Sequence, residues 1–74
     1  MNTLEELKEK AASMELRGAN FLDSKGNIAV VKELYTRVQF VFIDGTEITV
    51  SRDDTQTPEF NDMKFMLRTE EDHA

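Results

Sequence analysis

Cysteine is absent from the chain, which excludes disulfides and thiolate metal sites. Tryptophan is absent too, and there is one histidine, one proline and three glycines. No apolar run approaches the ~20 residues that a membrane-spanning helix needs. The N-terminus opens with Asn2, Glu5 and Glu6 instead of a basic stretch followed by an apolar one, so no signal peptide is read there and a cytoplasmic setting is the default expectation. With 74 residues the chain makes one small domain, in which only about 60% of the unfolded surface can be buried. Without covalent staples, such a domain must rely on an efficient core or on self-association.

What is abundant is acid. The net charge is −6, and it is unevenly spread. Residues 1–52 carry eight acids against seven bases, a net of −1. Residues 53–74 carry Asp53, Asp54, Glu59, Asp62, Glu70, Glu71 and Asp72 against Lys64 and Arg68, a net of −5. Direct binding to nucleic acid, which needs clustered Lys and Arg facing phosphates, is therefore not expected. A basic protein partner is the expectation that this charge supports.

The pattern predicts a helix over 4–17. Thr3 and Glu6 have capping-box spacing, and Leu4, Leu7, Ala11 and Met14 recur at intervals of three and four on one stripe. Glu6–Lys10 and Glu5–Lys8 are spaced as helical ion pairs, and Gly18 is placed to end the helix in the left-handed conformation. A hairpin is expected next, with Asp23-Ser24-Lys25-Gly26-Asn27 as its turn, Leu22 facing Ile28 and Asn20 facing Val30. Residues 31–35 carry no turn residue, and Ile28, Val31, Tyr35 and Val38 also fit a helical stripe. The density of β-branched residues over 28–38 decides for strands.

The second hairpin is sharper. From Tyr35 to Ile43, Val38, Phe40 and Phe42 alternate with Tyr35, Arg37, Gln39 and Val41. A two-residue Asp44-Gly45 loop would set Phe42 against Glu47 and mix the faces. A loop of 43–45 with Gly45 in the bulge position sets Phe40 against Ile48 and Val38 against Val50, so the patterning selects the longer loop. After a polar stretch over 51–57, Thr57-Pro58-Glu59 is a helix start, continued by Phe60, Met63 and Leu67 to about 69, with 70–74 as a frayed tail. The expected fold is α+β: an N-terminal helix, a four-stranded antiparallel sheet of two β-hairpins, and a C-terminal helix, in a single domain over 1–74.

Chemistry is scarce. His73 lies at the chain end, with nothing to orient its ring for catalysis. No glycine-rich phosphate loop and no zinc-ligand spacing occurs, and no serine or threonine has a visible base beside it. Asp53, Asp54, Glu59 and Asp62 supply oxygens for Mg²⁺ or Ca²⁺ but no full ligand set, and acids at a helix start also complement its dipole. The expectation is therefore no enzyme, no cofactor and no metal, with metal binding by these acids kept as an alternative.

Three surfaces remain. The acidic surface of Asp53, Asp54, Glu59, Asp62, Glu70, Glu71 and Asp72 either keeps the chain soluble or docks on a basic protein, standing in for phosphates where that protein binds nucleic acid. The stripe of the first helix packs on the sheet. Tyr35, Val41 and Ile43 on the second sheet face are a candidate homodimer patch. The expected function is a non-enzymatic binding module, a small regulator or inhibitor of a larger basic protein. A structural homodimer and a divalent-metal enzyme or sensor are the alternatives. Motif-free acidic chains of this size are common among phage and mobile-element accessory proteins, which is a base rate and not a reading of these residues.

Overall fold

A computed structural model of the chain describes residues 3–30 and 34–69. Helix α1 (Thr3–Ser13) leads into strands β1 (Leu16–Leu22), β2 (Arg37–Phe42) and β3 (Glu47–Ser51). A 3-10 turn (Asp54–Gln56), helix α2 (Pro58–Met63) and a second 3-10 turn (Lys64–Met66) follow. Among the described residues the sheet is antiparallel and three-stranded in the order β1-β2-β3, and the expected four-stranded sheet of two hairpins is not seen. No helix among the described residues is long and apolar enough to cross a membrane.

Both helices cover one face. Leu4, Leu7 and Ala11 of α1 and Met63 of α2 join Leu16, Val38, Phe40, Phe42 and Val50 in one buried cluster, with Met14, Ile48 and Phe60 packed against it. The period-two pattern of β2 and the three-and-four pattern of α1 thus meet as the sequence predicts. The β2–β3 register is the predicted one, Phe40 opposite Ile48 and Val38 opposite Val50. The turn that sets it has Gly45 at φ 93°, a conformation that strains a residue with a Cβ, while Asp44 accepts a hydrogen bond from the Thr46 N–H at 2.9 Å.

Three elements depart from expectation, each because tertiary pairing outweighs a local signal. The first is the end of α1. It stops at Ser13, whose hydroxyl donates to the Glu9 and Lys10 carbonyls at 3.4 and 3.2 Å, four residues short of Arg17. The segment after it is drawn into the sheet: Leu16 is buried opposite Phe42, its N–H donates to the Arg68 carbonyl at 2.7 Å, and the Ile43 N–H donates to the Glu15 carbonyl. Gly18 consequently lies within β1, past a bulge between Leu16 and Gly18, and does not cap the helix. Helix propensity is a weak prior against such pairing.

The second is the missing strand. The 23–27 turn forms, with Gly26 at φ 88°. The Asp23 carboxylate accepts the Asn27 and Lys25 N–H groups at 3.0 and 2.8 Å, and these bonds, Asn27 first, hold its pKa below the ordinary value. Leu22 bridges Ile28 as expected, and the Ala29 N–H donates to the Phe21 carbonyl. Among the described residues the pairing along the outer edge of β1 ends there. A fourth strand would extend the sheet past the helices, and Ala19 is already exposed although it stands beside buried Phe40. Ile28 and Val30 are 67% and 97% exposed. Residues 27–30 form neither a strand nor a helix, and the reading of 31–33 falls outside the described residues.

The third is α2, which begins as predicted. Pro58 occupies the first turn, and the Thr57 hydroxyl accepts the Phe60 N–H at 3.2 Å. It gives way at Lys64 to a 3-10 turn and then to extended chain, because Thr69 returns to bridge Leu16. The predicted extent to 69 is therefore too long. The expected tail over 70–74 lies outside the described residues.

Truncating Phe42, which has no exposed surface, to alanine is expected to cost about 3–5 kcal/mol in urea unfolding. Val30→Ser is expected to change stability by no more than about 0.5 kcal/mol, since nothing covers that side chain. A large loss for Val30→Ser would restore the fourth strand.

Candidate interaction surfaces

Helix α1 lies along β3 with its C-terminal end near the 43–46 turn. There the Lys10 ammonium meets the Asp44 carboxylate at 2.6 Å, although the sequence pairs Lys10 with Glu6. This contact, with the Thr46 N–H second, holds the Asp44 carboxyl well below its ordinary pKa. At the other end of α1, Thr3 and Leu4 face Asp54, Thr57, Pro58 and Glu59 across a cleft of about 480 Å³. The helix is therefore flanked by two open grooves, one towards α2 and one towards the free edge of β3.

The groove towards α2 has a volume of about 540 Å³ and is lined by Leu4, Glu5, Lys8, Glu59, Asp62, Met63 and Met66. It brings Glu59 and Asp62 of the predicted acidic surface together with Glu5, whose spacing in the sequence pairs it with Lys8. Asp53 and Asp54 lie at the end of β3, outside this groove, with Asp54 sharing the neighbouring cleft with Glu59. The Asp54 N–H donates to the Ser51 hydroxyl at 3.2 Å, and the Asp54 carbonyl accepts the Thr57 hydroxyl at 2.8 Å. Asp53, Glu59 and Asp62 are exposed and Asp54 is half-buried. Glu70, Glu71 and Asp72 lie outside the described residues. Among the described residues, no group of three or more His, Asp or Glu side chains is arranged to hold a metal ion.

The groove on the other flank has a volume of about 500 Å³ and is lined by Glu6, Glu9, Lys10, Ser13, Thr46, Glu47 and Ile48. None of its three glutamates belongs to the predicted acidic surface. Their signal was available: Glu6 and Glu9 are three apart on one helix flank, and alternation with buried Val50 turns Glu47 away from the core.

Tyr35, Val41 and Ile43 are not brought into one patch. Tyr35 precedes β2, stacks on Phe21 with centroids 4.7 Å apart, and lies under the Arg52 guanidinium at 5.0 Å. Val41 stays on the uncovered sheet face beside a polar row in which the Asn20 amide donates to Gln39 at 3.1 Å. Ile43 lines a separate cleft with Ala12, Met14, Phe65 and Met66, where Phe65 is 72% exposed. Ile28, Val30 and Leu34 are also exposed, and Ile28 bridges Leu22 at the other end of β1 from Leu16.

No protein-family model, curated protein or solved structure matches the chain.

The Asp44 contact has a pH signature. Its folded pKa is depressed, so its contribution to stability is whole above the ordinary value of 3.8 and is lost as pH falls below it. Asp44→Asn should lower the melting temperature at neutral pH, and the gap to the parent chain should narrow progressively below that value. A gap that stayed constant down to pH 2 would remove the Lys10 contact as its cause.

Proposed function

We propose that the chain is a non-enzymatic binding module, a small acidic regulator or inhibitor that docks on a larger basic protein through its acidic surface. The observation that carries this reading is the groove between α1 and α2. Glu5, Glu59 and Asp62 rim a floor of Leu4, Met63 and Met66, and Lys8 is the single base lining it. An acidic rim over an apolar floor suits Lys or Arg side chains, whose aliphatic stems cover the floor while their charged heads meet the carboxylates. Asp53 and Asp54 extend the same sign of charge towards β3. A partner that otherwise grips nucleic acid phosphates presents the complementary surface.

The test is a tagged pull-down from lysate of the source organism at low salt, run with the parent chain and with Asp53→Lys, Asp54→Lys, Glu59→Lys and Asp62→Lys combined. The expected result is a basic protein retained by the parent and lost by the charge-reversed variant, with circular dichroism showing that the variant is folded. Equal retention by both would overturn the acidic surface as the docking site.

A further inference from the structure

The two edges of the sheet are treated differently. The outer edge of β1 is covered at both ends: a bulge interrupts it between Leu16 and Gly18, Thr69 bridges Leu16, and Ile28 bridges Leu22. Covered ends and bulges are how sheets prevent a further strand from adding. The outer edge of β3 has none of these devices. It contains no proline and no bulge, and among the described residues no strand or bridge pairs with it.

The direction of its backbone groups follows from the ladder. The Phe42 N–H donates to the Thr46 carbonyl, and the Arg52 N–H donates to the Thr36 carbonyl. Thr46, Ile48, Val50 and Arg52 therefore turn their peptide groups inward to β2. Glu47, Thr49 and Ser51 turn theirs outward, as antiparallel alternation requires. Three residues with outward-facing donors and acceptors are a template for β-augmentation.

Charge selects the occupant. Glu6 and Glu9 of α1 and Glu47 of β3 line the groove beside this edge, and its one base, Lys10, is engaged by Asp44. Asp53 and Asp54 follow at the end of the strand. A second copy adding through the same edge would bring an identical set of glutamates to the seam, since a two-fold interface uses the same patch twice. An extended segment rich in Lys and Arg brings opposite charge, and its aliphatic stems reach Ile48.

We infer that the free edge of β3 accepts an extended, Lys- and Arg-bearing segment of another protein as a fourth strand. This rests on the docking reading above and names the secondary structure through which the basic partner is held.

The test is amide water-exchange measured by NMR on the ¹⁵N-labelled full chain, with and without a ten-residue peptide alternating lysine and threonine. The expected result is exchange slowed by about tenfold or more at Glu47, Thr49 and Ser51, and unchanged at Ala19 on the opposite edge. Thr49→Pro, which removes an outward donor and leaves the inner ladder intact, should abolish the protection at Glu47 and Ser51. Peptide-induced shifts at Asp53, Asp54, Glu59 and Asp62 without protection along β3 would overturn the edge and leave docking by charge standing. Protection that grows with chain concentration in the absence of peptide would overturn the basic occupant in favour of a second copy. No spectral change at any of these residues up to millimolar peptide would count against both.

Discussion

The pairing of β1 with β2 is the contact on which the rest of the structure depends. It joins Leu16–Leu22 to Arg37–Phe42 across a long excursion in the chain, and it places Leu16 against Phe42 in the centre of the core. Such non-local pairing must first overcome the entropy of closing the intervening loop. The return comes from burial, because the face it completes is the one that both helices cover. Once β1 occupies that edge, α1 must stop early enough to release Leu16, and the 28–30 segment meets only the outer edge of β1, where Ile28 and Val30 stay exposed. The C-terminal chain then turns back so that Thr69 reaches Leu16.

This topology sorts the surface into distinct regions. Both helices lie on one face, so the open face keeps a polar row of Asn20 and Gln39 with Val41 beside it. The acids gather around α1, with Glu5, Glu59 and Asp62 on one flank and Glu6, Glu9 and Glu47 on the other. The unpaired edge of β3 runs through the second of these flanks. An acidic surface by itself serves solubility well. A strand edge left unguarded beside it is a different matter, because exposed edges invite pairing and folded chains usually block them. Charge and an open edge in the same place are what a docking role for a basic segment requires.

Much of this was legible from residue pattern. The stripe of Leu4, Leu7 and Ala11, the alternation of Val38, Phe40 and Phe42, the Gly45 bulge turn and the Thr57-Pro58 helix start all carry their own local physics, and each stands where it is predicted. What the pattern did not carry was the choice of partner for β1. Leu22 and Ile28 do meet, so the turn chemistry at Asp23–Asn27 was sound, yet the strand-like residues that follow it remain exposed. Strand preference describes the fit to a half-buried surface, and residues 28–30 have none to lie on. The acidic surface was visible as charge along the chain, but its composition was not. Glu5, Glu6, Glu9 and Glu47 belong to the near-neutral part of the sequence; the packing of α1 sets Glu5 beside Glu59 and Asp62, and gathers Glu6, Glu9 and Glu47 on its other flank.

The central claim is that the chain acts by electrostatic docking on a basic partner. The most direct measurement is the affinity for the captured partner over a series of salt concentrations. Exposed charge pairs are screened beyond a Debye length of ~8 Å at physiological ionic strength, so the account predicts affinity that falls steadily as salt is raised. Affinity that held constant across the series would contradict the account and turn attention to the exposed apolar side chains of Ile28, Val30, Leu34 and Phe65.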